Sequence, residues 1–169
     1  MVLGRNIIFI IILIGCFASC NPDSHYQNIP ITNFTGIEKW LNKQTDSVYV
    51  INFWATWCSP CVKEFPFFEQ LASENINKKV KVLMINLDFP DQYDKRLIPF
   101  LKAQKSRLDV IMLDDPNQNS WISKVDSSWS GALPATLIYS KEKRTFFEKE
   151  LTYNELNIAF KEHLINSNN

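Results

Sequence analysis

The chain has 169 residues, 46% of them hydrophobic and 13% aromatic, enough for one domain with a sizeable core. Its formal net charge is zero and it carries no basic run, so nothing in it suggests a nucleic-acid partner.

The residues before Cys20 read as an address rather than as fold. Arg5 is their only charge, and an apolar run over 7–14 follows it. A membrane-spanning helix needs roughly 20 apolar residues, so a secretory signal is the better reading. The tail "LIGCFASCNPDS" resembles a bacterial lipoprotein signal, in which a cysteine after small residues is cleaved and lipidated. Cys20 follows Ala18 and Ser19, although Phe17 departs from the branched aliphatic residue usual three places earlier. Cys16, in "LIGC", is the competing site. The expected organisation is a signal over 1–19, a polar tether over 20–30 that does not fold against the domain, and a domain over 31–169.

Along that domain, Phe34, Ile37 and Leu41 have helical spacing and predict a short helix over 34–43. "SVYVINFWA" (47–55) is β-branched, aromatic and nearly continuous in apolar character, as a strand covered on both faces should be. A helix follows, with Cys58 near its start and Phe65, Phe68, Leu71 and Ala72 facing inward. Pro66 is expected to bend it. "KVKVLMINLDF" (79–89) predicts a second strand, residues 91–105 a helix with Leu97, Ile98 and Leu101 inward, and "LDVIML" (108–113) a third strand. "DDPNQNSWISKV" opens with turn chemistry and predicts a helix cap and a short helix rather than a calcium loop. "PATLIYSKEKRTFFEKE" (134–150) predicts two strands around a charged turn. Thr152 and Glu155 form a capping box ahead of a terminal helix, with Leu151 and Leu156 at the staple positions. Strands alternating with helices, then a hairpin and a last helix, predict an α/β fold with a central mixed sheet flanked by helices.

"WATWCSPCVKEFP" (54–66) carries the chemistry: two cysteines, Cys58 and Cys61, separated by Ser59 and Pro60. A structural zinc site needs four ligands, and beyond this pair the chain offers Cys16, Cys20, His25 and His163 without a second C-x-x-C. Covalent haem attachment wants a histidine after the second cysteine; Val62 stands there. A structural staple enclosing two residues constrains the unfolded chain little. A redox pair remains. At a helix N-terminus the unsatisfied amides and the macrodipole favour a thiolate at Cys58, while Cys61 lies about one turn further in. That asymmetry separates an attacking thiol from a resolving one. No metal or cofactor is expected.

"VINFWATWCSPCVKEFP" resembles the active-site segment of thioredoxin-fold proteins, and more narrowly the membrane-tethered thiol–disulfide oxidoreductases of the TlpA/ResA type, many of which serve cytochrome c maturation. The likeness covers about residues 47–139. It implies a thioredoxin-like fold, with Asn52 where thioredoxin itself usually has a buried aspartate. It also implies that Glu64 is a partly buried carboxylate tuning the thiols and moving protons, and that Pro134 in "GALPATLIY" is a cis-proline facing the disulfide. Trp57, Leu133 and Pro134 would then present the substrate-binding face, with Trp121 and Trp129 lining the same groove. The implied activity is reduction of disulfides in exported proteins, apocytochrome c among them. Electrons would come from an integral-membrane donor to a monomer held by a lipid at Cys20, in the periplasm of a bacterial envelope. Two other readings stay open. A peroxiredoxin-like peroxide reductase would want threonine three residues before the reactive cysteine, where Ala55 stands and Thr56 is one place off. A tethered binding module would keep the cysteine pair as a fold relic.

Overall fold

The computed structural model describes residues 26, 28–76 and 78–166. The expected signal and both candidate lipid sites, Cys16 and Cys20, lie outside the described residues. Six strands form one sheet in the order β1-β4-β3-β2-β5-β6. They are β1 (Ile31–Thr32), β2 (Val48–Trp54), β3 (Val80–Asn86), β4 (Asp109–Leu113), β5 (Ala135–Tyr139) and β6 (Arg144–Phe147). The first four run parallel, while β5 pairs antiparallel with β2 and β6 antiparallel with β5.

Every residue of β2 is buried, because helices cover both sides of it. Val48, Val50 and Trp54 face a core closed by α2 (Ser59–Glu74), α3 (Ile98–Gln104) and α5 (Tyr153–Asn166). Tyr49, Ile51 and Phe53 face the opposite core, closed by α1 (Phe34–Glu38) and α4 (Ile122–Val125). Alternate residues of one strand thus feed two layers, as the two-residue side-chain period requires. The inward stripe of α2, Phe65, Phe68 and Leu71, is fully buried; each such side chain is worth about 1.5–3 kcal/mol. Ala72 is only half-buried. Pro66 sits on the solvent side, and α2 runs through it.

Three sequence expectations are corrected. The first helix ends at Glu38 instead of reaching residue 43: Trp40 and Leu41 bond back only three residues, to Ile37 and Glu38, so the chain tightens out of α geometry. The helix expected over 91–105 is three pieces: a 3₁₀ turn at Pro90–Gln92, a π turn at Tyr93–Leu97, and α3. Pro99 explains the break, since it has no N–H and its ring excludes the carbonyl four residues back. Immediately before it, the Ile98 N–H reaches five residues back to Tyr93. The tether expected over 20–30 is docked at its end. Tyr26 is buried and its hydroxyl donates to the Ser106 carbonyl at 3.1 Å, while the Pro30 carbonyl accepts the Met112 N–H at 2.8 Å. Strand β1, too short to show a period in sequence, continues that pairing alongside β4.

The turn chemistry at 114–117 acts as a cap. Asp115 accepts the first N–H of α1, at Phe34, and also the Asn117 N–H, each at 3.1 Å. At α5, the Thr152 N–H donates to Glu155 at 2.8 Å and the Glu155 N–H to the Thr152 hydroxyl at 3.3 Å. Both halves of the capping box are closed.

Candidate active site

The dithiol segment lies past the carboxyl ends of β2 and β3, where open α/β sheets place their sites. Trp54 and Asn86 are register partners, and beyond them the Leu87 N–H donates to the Trp54 carbonyl at 2.8 Å. The chain turns through Ala55, Thr56 and Trp57 into Cys58, the N-cap of α2. Pro60 occupies the first helical turn, where its missing N–H costs nothing. Cys58 and Cys61 are joined in a disulfide with Cα atoms 5.3 Å apart. The Cys58 sulfur accepts the Cys61 N–H at 3.4 Å, so a backbone donor already points at the atom that would carry thiolate charge. Cys58 retains 6% exposure and Cys61 only 1%, which leaves Cys58 as the sulfur a partner reaches.

Glu64 is fully buried, one turn beyond Cys61, deeper than the partial burial expected. The Asn52 amide donates to Oε1 and the Leu151 N–H to Oε2, both at 2.8 Å. Burial dominates over these bonds, and the nearby Glu150 charge adds to it, so the Glu64 carboxyl is pushed up to about 7. The Asn52 amide also donates to the Thr136 hydroxyl at 3.0 Å, across the β2–β5 register. The C-x-x-C helix, the central strand and the residue before the α5 cap therefore meet at one carboxylate, and the strand after Pro134 joins them through Asn52.

The Leu133–Pro134 peptide is cis, directly before β5. The preceding loop is tied down from outside: Glu148 accepts the Ser130 N–H at 3.1 Å, the Ala132 N–H at 3.0 Å, and the Ser130 hydroxyl. Within the loop, Gly131 takes φ +97°, a conformation side chains disfavour, and the Trp129 indole donates to the Ala132 carbonyl at 2.9 Å. Trp57 is exposed and Leu133 half-buried, and together with Trp121 and Trp129 they line one groove.

Sequence reasoning missed Asp88. Buried in the loop after β3, it accepts the Thr56 N–H at 2.9 Å and the Asn86 amide at 3.3 Å. In sequence it is one more acidic residue before a proline turn; its place two residues past the end of β3 is the single usable signal. His163 is a core residue, its Nε2 3.0 Å from the Thr145 hydroxyl. Among the described residues no group of three acidic, histidine or cysteine side chains could hold a metal.

The AhpC/TSA family model matches residues 23–144, well over half of the chain. The thioredoxin of Rickettsia prowazekii is 34% identical over 48% of this chain and 84% of its own length. The thiol–disulfide oxidoreductase ResA of Oceanobacillus iheyensis is 40% identical, over 27% of this chain and 28% of its own; that match spans less than a third of the relative. Among solved structures, a thioredoxin-related protein from Neisseria meningitidis serogroup B superposes with a TM-score of 0.58 at 26% identity, over 69% of this chain and 84% of its own. The chain belongs to the AhpC/TSA family, as a thioredoxin-fold thiol–disulfide oxidoreductase of the TlpA/ResA-like kind.

Proposed function

We propose that the protein reduces disulfides of exported proteins outside the cytoplasm, cycling between a Cys58/Cys61 dithiol and the disulfide. The observation that carries this is Cys58 at the N-cap of α2, its sulfur accepting the Cys61 N–H, with Cys61 shielded behind it. The Cys58 thiolate attacks one sulfur of the partner disulfide; a mixed disulfide forms and the other partner sulfur leaves as a thiolate that takes a proton from solvent. Cys61 then gives its proton to the Glu64 carboxylate and attacks the Cys58 sulfur, expelling the second partner thiolate. Two electrons pass from the dithiol to the partner. A carboxyl held at about 7 is matched to that proton transfer near neutral pH. An integral-membrane dithiol donor would restore the reduced pair, and a lipid at Cys20 would hold the monomer at the periplasmic membrane surface. Apocytochrome c is a candidate partner. A peroxide reductase finds no support at its key position, since buried Ala55 offers no hydroxyl.

The test is Cys61→Ser in the full chain. It should trap a mixed disulfide through Cys58 with a protein partner, while Cys58→Ser traps none. Faster alkylation of Cys61 than of Cys58 in the reduced protein would refute the assignment of roles. A couple near −270 mV would make the protein a reductant, and one near −120 mV an oxidant.

A further inference from the structure

We propose that the end of the sheet opposite Cys58 is a docking face for an anionic membrane surface, recognising lipid phosphate headgroups and holding the dithiol away from the bilayer. This goes beyond the exchange chemistry and does not depend on which cysteine carries a lipid.

Charge segregates along the strand axis. The segments leading into β3 and β4 carry Lys78, Lys79, Lys105 and Arg107 and no acid. Those leading into β2 and β6 add four lysines against Asp46 and Glu142. Up to the next helical turn, the segments leaving β3, β4 and β6 carry Asp88, Asp114, Asp115, Glu148 and Glu150, with Lys149 the single cation. These strands all point the same way in the sheet. The first group therefore lies at one end of the domain, and the second at the end that holds Cys58. A net charge of zero hides a basic end and an acidic one, and such a field orients a molecule near a charged surface.

At the basic end, Ile76, Lys81 and Arg107 line one groove. Ile76 is 81% exposed. A lone exposed apolar residue needs no explanation, but an apolar tip among cations is the composition of a membrane-surface contact. Lys79 and Lys81 pair with Asp46 and Asp109 at the surface, where phosphates can replace such partners at little cost. Among the described residues neither Lys105 nor Arg107 forms an ion pair. Of the acids in the second half of α2, Glu69 accepts the Ser106 hydroxyl and the Arg107 N–H, and Glu74 accepts from Tyr153 and Gln70, so both already have donors.

The point where the chain enters identifies the occupant. The Tyr26 hydroxyl donates to the carbonyl of Ser106, between Lys105 and Arg107, and the Pro30 carbonyl accepts the Met112 N–H. The segment thus rises along β4 from the basic end. Residues 1–25, with the apolar run over 7–14, join the domain at that same end. An apolar leader and a cationic face side by side fit a bilayer better than an acidic protein. Helix α2, 16 residues long, separates Cys58 from Asn75 by about 24 Å, so the dithiol faces outward when the basic end is seated.

The experiment follows amide hydrogen exchange of the oxidised full chain in vesicles of phosphatidylcholine alone, or of equal parts phosphatidylcholine and phosphatidylglycerol. Amides of 76–80 and 105–107 should exchange about fivefold more slowly on the anionic vesicles, and high salt should remove the difference. Amides of 87–89 and 114–117 should exchange alike on both. Lys78→Glu combined with Arg107→Glu should abolish the difference, and Ile76→Ser should reduce it, with thermal melts in detergent to check folding. The comparison of the two vesicle types in the unaltered chain stands without the variants. Equal exchange on both vesicle types would overturn the proposal, and so would slowing at 87–89 and 114–117, which would seat the acidic end instead. Slowing at 76–80 that rises with protein concentration in detergent alone would assign the face to a second copy of the chain and overturn it. The same slowing by soluble polyglutamate, without vesicles, would assign it to an acidic protein and overturn it too.

Discussion

The Glu64 carboxylate and the Leu151 N–H, 87 positions apart in sequence, meet at 2.8 Å in the interior beneath the disulfide. The bond ties the active-site helix to the residue just before the capping box of α5, and it sets a pH dependence. Burial raises Glu64 from 4.5 to about 7, so between those values the folded state holds a proton that the unfolded chain has released. The Glu64 contribution to stability is then fully present below about pH 4.5, falls as pH rises through the window, and is lost above about 7, a change on the order of 3 kcal/mol. Glu64→Gln should flatten that slope in urea titrations of the oxidised protein, although its amide cannot accept from both Asn52 and Leu151. Its exchange rate should lose the inflection near pH 7. Parallel stability profiles for the two proteins would exclude Glu64 as the titrating group.

Asp88 holds the turn that delivers Cys58. Its carboxylate takes the Thr56 N–H at 2.9 Å, and no other partner for that donor follows from the local turn geometry. Asp88→Ala should cost about 1–3 kcal/mol through the orphaned donors, whereas Asp88→Asn keeps an acceptor and should cost less. Amide hydrogen exchange gives the local readout: the Thr56 N–H should exchange faster in the Ala variant while the β2 amides keep their protection. Unchanged exchange at Thr56 would remove the clamp from the account.

The sequence made the redox pair legible because C-x-x-C at a strand-to-helix junction combines a spacing with a place in the fold. Glu64 was visible as the residue one turn past Cys61, yet its depth was not, since burial depends on Asn52, Thr136 and Leu151 arriving from three other segments. Asp88 and Phe89 were hidden for the same reason. A buried clamp and an exposed aromatic look alike inside "NLDFP", and only the packing of β3 against β2 separates them. The π turn before Pro99 and the docking of Tyr26 are likewise tertiary outcomes. By contrast the capping box at Thr152 and Glu155 is a contact between residues three apart, and it was read directly.

Glu148 is half-buried, and it accepts two backbone N–H groups and a hydroxyl from the loop leading to Pro134. The Ser130 hydroxyl bond, helped by the Ser130 and Ala132 N–H groups, holds its carboxyl below the usual carboxylate range. A lowered carboxyl contributes above its ordinary pKa and stops contributing as pH falls through the lowered value, so the clamp should outlast ordinary surface carboxylates on acidification. Glu148→Ala should raise KM for a protein disulfide a few-fold with kcat nearly unchanged, because it loosens the loop without touching the sulfurs. Glu148→Gln, which keeps one acceptor, should recover part of the loss. Equal KM in all three proteins would mean that the loop is held without Glu148.

Docking of the segment before β1 predicts that the domain is weakened when it is cut at residue 31. Such a chain loses the Tyr26 ring, the Tyr26 bond to Ser106, the Tyr93 bond to the Ile29 carbonyl at 3.3 Å, and the Pro30 acceptor of the Met112 N–H. Met112 is fully buried in the core under α3, so its N–H at the strand edge loses its protein partner when the segment is gone. Together the loss should exceed about 2 kcal/mol and lower Tm by roughly 5 °C or more. Tyr26→Ala in the full chain should produce a smaller drop of the same sign. The docking also shortens any tether: with a lipid at Cys20, residues 21–25 would span at most about 18 Å fully extended, which holds the sheet edge formed by β1 and β4 close to the bilayer. Intact mass of the membrane-extracted protein checks the anchor, and thermal melts of the two variants check the docking. Identical melts for the full chain and the chain beginning at 31 would restore the whole of 20–30 to the role of a free tether.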